Sequence, residues 1–170
     1  MRKSILILTI LIAPVVCTAQ PKRAELSLAG VQIGAPLGKV KRILGVPMRV
    51  VDIPNSEFAW RAGEREYDFA RGLLVVKVVE GYYQKPGMQS EHSSGVLSVA
   101  VQGTGSIDKS VKTGLGLTLG DSLQTIRRLY GQAPLVGKHI QIYWINGNIL
   151  DIDLDSQGKV AQIELSVNQE

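Results

Sequence analysis

A repeated window most narrows what this chain can fold into. Gly30 to Gly45 can be laid over Gly116 to Gly131 at a constant offset of 86 residues, without a gap. Glycines coincide at Gly30/Gly116, Gly34/Gly120 and Gly45/Gly131. Apolar residues coincide at Val31/Leu117, Ile33/Leu119, Leu37/Leu123, Val40/Ile126 and Ile43/Leu129, and Arg42 meets Arg128. A proline follows each window, Pro47 and Pro134. Self-similarity at a fixed offset is the mark of a duplicated supersecondary unit.

Each window reads as a short amphipathic helix. Leu37, Val40, Ile43 and Leu44 share one helical face, with Lys39, Lys41 and Arg42 mostly off it. Leu123, Ile126, Leu129 and Tyr130 repeat the spacing. Pro36 suits a first helical turn, and Asp121 with Gln124 three residues on reads as a capping box. Gly45 and Gly131 stop the helices. Helices of two to three turns are marginal alone in water, so their apolar stripes must lie on something flat.

Strand patterns supply that surface. Ile140 to Ile145 alternates, Asn146-Gly147 is a strong hairpin signal, and Ile149 to Leu154 alternates again. In the latter, Leu150, Ile152 and Leu154 fall on one face and Asp151 and Asp153 on the other. A turn at Asp155 to Gly158 leads into Val160 to Val167, completing a three-stranded meander. The first half follows in parallel: Phe58 to Trp60, a turn near Ala62-Gly63, Glu66 to Phe69, a turn at Arg71-Gly72, then Leu73 to Val79, with Val96 to Val101 as a further strand. Glu80 to Gly95 is polar and reads as the longest irregular segment.

The expected fold is therefore α+β: two tandem helix-then-antiparallel-meander repeats, with short helices packed on one face of an antiparallel sheet. The expected boundaries are a signal peptide at 1–19, a first repeat at 20–102, a linker at 103–113 and a second repeat at 114–170. The order of Gly-apolar-x-apolar-Gly, amphipathic helix, Gly-x-Pro and Trp-containing hairpin resembles the SmpA/OmlA-type outer-membrane assembly lipoproteins. It is also similar to the tandem repeats of β-lactamase inhibitory proteins. The resemblance covers residues 28–79 and 114–167 and implies helices covering one face of an antiparallel sheet. It brings no functional residue with it.

The N-terminus reads as an export signal. Arg2 and Lys3 form a positive region, Ile5 to Val16 an apolar run, and Cys17-Thr18-Ala19 places small residues before a cleavage site at Gln20. The run is shorter than the ~20 residues a spanning helix needs, and no transmembrane segment is expected elsewhere. Cys17, the only cysteine, invites a lipoprotein reading, but Val16 and Pro14 suit a lipobox poorly. Cleavage near Ala19 is preferred to a lipid anchor at Cys17, giving a thiol-free periplasmic or secreted protein. The formal charge of +4 falls to 17 basic against 15 acidic residues, or +2, once Arg2 and Lys3 are removed. That balance excludes the concentrated basic footprint of a nucleic-acid binder.

No constellation speaks strongly for catalysis. His92 and His139 each lack a second His or Cys at zinc-ligand spacing. No Gly-x-Ser-x-Gly elbow or phosphate-binding glycine loop occurs. Asp153, Asp155, Gln157 and Glu164, with Gly158 between, fall on the calcium-loop spacing. Because they lie between strands rather than helices, a solvated turn is preferred to a Ca²⁺ site. The expected activity is that of a non-enzymatic protein-binding or inhibitor-like module of the cell envelope, without a cofactor. Its partner would be a protein of the envelope or extracellular space, with Tyr82, Tyr83 and Trp144 as candidate partner-binding residues. The alternatives are a structural component of envelope assembly, or a calcium-binding factor using the 153–164 turn.

Overall fold

A computed structural model describes residues 25–53, 64–71, 74–84, 92–103, 108–144 and 148–167. The helices form where the apolar spacing places them, α1 at Leu37–Leu44 and α2 at Leu123–Tyr130. Pro36 is the N-cap of α1, in extended conformation and with no side-chain cap bond. In α2 the cap is Ser122 rather than Asp121: Ser122 Oγ accepts the Thr125 N–H at 3.3 Å, while Asp121 Oδ2 accepts the Thr118 N–H at 3.0 Å. Both helices end on a glycine whose N–H returns to a carbonyl four residues back. Gly45 and Gly131 have φ of 91° and 84° with ψ near the extended limit, a region that side chains exclude.

Strands dominate the rest. A tight hairpin joins β1 (Ser27–Leu28) to β2 (Val31–Gln32), its two-residue loop, Ala29-Gly30, having positive φ at both positions. The remaining strands are β3 (Arg49–Asp52), β4 (Arg65–Arg71), β5 (Leu74–Gln84), β6 (His92–Gly103), β7 (Leu135–Val136), β8 (His139–Tyr143), β9 (Asn148–Leu154) and β10 (Val160–Val167). They form one antiparallel sheet of eight strands in the order β3-β4-β5-β6-β10-β9-β8-β7. β5 carries Val75, Val76, Val78 and Val79, of which Val76 and Val78 stand opposite Val101 and Val99 of β6; such β-branched side chains pack well on a pleated surface and favour these long strands.

This overturns the expected arrangement. The chain does not form two tandem helix-plus-meander α+β units; it is mostly antiparallel β, and the strands merge into one large sheet. The join is β6 against β10, where Ile163 stands opposite Val101 and Leu165 opposite Val99. The physical reason lies in the edges. A three- or four-stranded meander ending at β6 or β10 would leave unpaired N–H and C=O groups beside an apolar row, and pairing the two edges satisfies both. The segment expected to be irregular, Glu80 to Gly95, is also corrected: β5 continues to Gln84 and β6 begins at His92. The expected Phe58–Trp60 strand and the Asn146-Gly147 turn lie outside the described residues, as does the export signal.

The core sits between the helices and one sheet face. Val40 and Leu44 from α1, and Ile126 and Tyr130 from α2, are buried against Tyr67, Phe69, Val76, Val78, Val99, Ile152, Ile163 and Leu165. Each fully buried side chain of this kind contributes about 1.5–3 kcal/mol relative to exposure. The turns leading into the helices are tied to the sheet in matching fashion. Gly34 N–H donates to the Val96 carbonyl at 2.8 Å and Val96 N–H to the Ala35 carbonyl at 3.0 Å; Gly120 N–H donates to the Val160 carbonyl at 2.7 Å and Val160 N–H to the Asp121 carbonyl at 2.9 Å. Among the described residues no helix is long and apolar enough to cross a membrane.

Candidate functional site

Because both helices lie on one side, strand alternation sends a separate set of side chains to the other face. Cross-strand register lines them up. One row runs Arg49, Asp68, Lys77, Ala100, Glu164, Asp151, Gln141, and a second runs Val51, Glu66, Val79, Ser98, Ser166, Ile149, Tyr143. A third carries Gln102, Gln162, Asp153 and His139 across β6 to β8. This second face is mixed: small and amide side chains with Glu164 at its centre, further charges to either side.

The two flanks differ. Toward β3–β5 the carboxylates meet cations, Asp68 Oδ2 lying 3.6 Å from Arg49 and Glu66 Oε1 lying 3.5 Å from Lys77 Nζ. There Glu64, Asp68 and Leu97 are all buried. Toward β8–β10 carboxylates outnumber cations. His139 is held between two of them, Nδ1 at 2.8 Å from Asp153 Oδ1 and Nε2 at 3.2 Å from Asp151 Oδ1. Both ring nitrogens can face carboxylates as donors only in the imidazolium form, and the hydrogen bond to Asp153 pushes the His139 pKa above its ordinary value. Gln141 Nε2 donates to Asp151 Oδ1 at 2.7 Å, and the Tyr143 hydroxyl donates to Gln141 Oε1. Glu164 stands between Ala100 and Asp151. Burial first, and then Asp151, push its pKa up, against a hydrogen bond with Ser98.

The residues singled out from sequence fall in three places. Trp144 is 9% exposed and packs edge-on against Tyr130 at a ring-centroid distance of 6.2 Å, so it belongs to the core. Its neighbour Tyr143 is the exposed aromatic among the described residues. Tyr82 and Tyr83 lie on β5 opposite Ser94 and Ser93 of β6; their side chains lie outside the described residues.

The four residues on calcium-loop spacing are drawn apart by the hairpin. Asp155 Oδ1 caps the turn, accepting the Gln157 and Lys159 N–H groups at 2.8 Å each. Asp153 is engaged by His139. Glu164 stands opposite Asp151, four residues along the strand from Asp155, which is about 13 Å at the usual rise. The twelve-residue spacing closes on one point only when the chain folds back as a loop. Here its second half runs away along β10. Among the described residues no group of three or more His, Cys, Asp or Glu converges as a metal site.

Sequence reasoning did not single out His139, Asp151 and Glu164 as one group. The signal available was the alternation of Asp151 and Asp153 with apolar residues, which fixes their face. That β10 would bring Glu164 beside Asp151 required the register.

No protein-family model matches the chain, and no curated protein sequence matches it. Among solved structures, the chain is similar to a DUF4309 family protein, YjgB, from Bacillus subtilis subsp. subtilis str. 168. The TM-score is 0.42 and the identity 16%, over 81% of this chain and 82% of that one.

Proposed function

We propose that this protein is an exported, non-enzymatic binding module that presents the β6–β10–β9–β8 part of its second sheet face to a protein partner. The observation that carries this reading is Glu164. Its carboxylate is held partly desolvated beside Asp151, an arrangement that costs folding stability and that a Gln would avoid. A partner bringing a Lys or Arg onto Glu164 and Asp151 would relieve that cost on binding, since opposite charge favours the ionised form. The exposed Tyr143 at the margin is the kind of amphipathic aromatic enriched at interface anchors.

The experiment is site-specific photo-crosslinking in the producing cell. A crosslinker at Gln102, Gln162 or Ser166 should capture one defined protein, and the same group at Lys39 or Arg127 on the helices should not. Glu164→Lys combined with Asp151→Lys should then reduce capture at least tenfold. Equal crosslinking from both sides of the molecule, or capture indifferent to the charge reversal, overturns the reading.

A further inference from the structure

On the helix side of the sheet, away from the proposed binding face, lies a second polar feature built like a ligand site whose ligand is part of the chain. Glu25 is 2% exposed. Its Oε1 accepts N–H bonds from Gly114 at 2.9 Å, Leu26 at 3.0 Å and Ser27 at 3.3 Å. Its Oε2 accepts the Leu115 N–H and the Tyr130 hydroxyl, each at 3.0 Å. The Tyr130 oxygen lies 2.7 Å from Thr113 Oγ1, which itself accepts the Leu117 N–H at 3.0 Å. With the Tyr130 proton given to Glu25, the Thr113 hydroxyl donates to Tyr130. Every group aimed at the carboxylate is thus a donor.

Leu26 and Ser27 belong to the same strand entry as Glu25. Gly114, Leu115 and Tyr130 belong to the body of the fold, roughly a hundred residues away. Successive backbone N–H groups converging in this way form a nest suited to an anion. Gly114 is required by the approach itself, since a Cβ there would lie 2.6 Å from Glu25 Oε1. Asn148 Nδ2 donates to the Glu25 carbonyl at 3.0 Å, so the backbone of the segment is held as well as its side chain.

We propose that Gly114, Leu115 and Tyr130 form a carboxylate-binding site of the folded body, filled in cis by Glu25, and that it takes a small monocarboxylate in trans when the Glu25 side chain is removed. The N-terminal segment is then a strap keyed to the body by its carboxylate. Its docking depends on an acceptor with two oxygens, because three body donors would otherwise be buried without partners. A neutral amide of the same shape cannot replace it, since its NH₂ group would face donors.

The test uses full-length Glu25→Ala protein, melted in the presence of acetate, acetamide or chloride at matched ionic strength. Acetate is expected to raise the Tm saturably, by on the order of a few degrees, with acetamide and chloride giving no comparable rise. Adding Gly114→Ala, which fills the approach to the site, should abolish the acetate response. A folded variant that ignores acetate, or that responds equally to acetamide or chloride, overturns the proposal. Should Glu25→Ala fail to fold, refolding yield in acetate against acetamide becomes the readout. A selective gain supports the site; equal yields, or none in either, count against it.

Discussion

At the scale of single residues, charge placement on the second face makes two predictions about pH that share a sign and differ in origin. His139, between Asp151 and Asp153, has a folded pKa above its ordinary value, chiefly through its bond to Asp153. Its contribution to stability is therefore fully present below the unfolded value of about 6.5 and is lost as pH rises through the folded pKa. An NMR titration of the ring should give a midpoint above 6.5 in the parent, moving down in Asp153→Asn. Glu164 shifts stability in the same direction for another reason, a penalty on its charged form. Burial and Asp151 raise its folded pKa, so the folded state binds the proton more tightly than the unfolded chain does. Stability is reduced while Glu164 is ionised and recovers as pH falls through the folded pKa. Glu164→Gln is expected to melt higher than the parent at pH 7, with the gap closing as pH approaches about 4; thermal denaturation across that range checks it. Trp144 shows where residue-level reading misleads. Its side chain suits an interface anchor, yet its position beside Tyr130 places it in the core, and its neighbour Tyr143 is the exposed member of the pair.

At the scale of elements, the helices were the most legible feature. Periodicity, a capping residue and a terminal glycine are local properties, and α1 and α2 run over the residues they specify. The cap itself was displaced by one position, because Asp121 is occupied in bonding the Thr118 N–H and leaves Ser122 to bond Thr125. Ser122→Ala should cost about 1 kcal/mol, while Asp121→Ala should act through the preceding turn; urea denaturation of the pair separates the two. The strands were legible in type but not in extent. Polar residues at the ends of β5 and β6 read as a loop in isolation, but cross-strand pairing from Glu80↔Val96 to Gln84↔His92 holds them extended.

At the scale of the whole molecule, the seam between β6 and β10 decides the behaviour. Val99, Val101, Ile163 and Leu165 meet there and are buried in a core shared by both helices. Ile163→Ala should cost on the order of 2–5 kcal/mol. Near-UV and far-UV signals should still lose structure together in a single transition, since one core runs from β4 across β5, β6, β10 and β9 to β8. A fragment ending at Gly103 should fail to unfold cooperatively, because β6 would become a bare edge over half a core. Two separate transitions, or a cooperatively folded fragment, would argue for independent units.

Local physics was decided by the sequence alone. Spacing of Leu37, Val40, Ile43 and Leu44 set a helix face, and alternation through Leu150, Asp151, Ile152, Asp153 and Leu154 set the two faces of a strand. These are interactions within a few residues, and their period survives in any fold that accepts the segment. The tertiary structure decided which strands would be neighbours. It merged the expected units into one sheet, brought Glu164 of β10 beside Asp151 of β9, and carried Glu25 across roughly a hundred residues to Gly114 and Tyr130. Such pairings are settled by which edges and buried donors find mutual satisfaction, a property of the assembled chain that no short window contains.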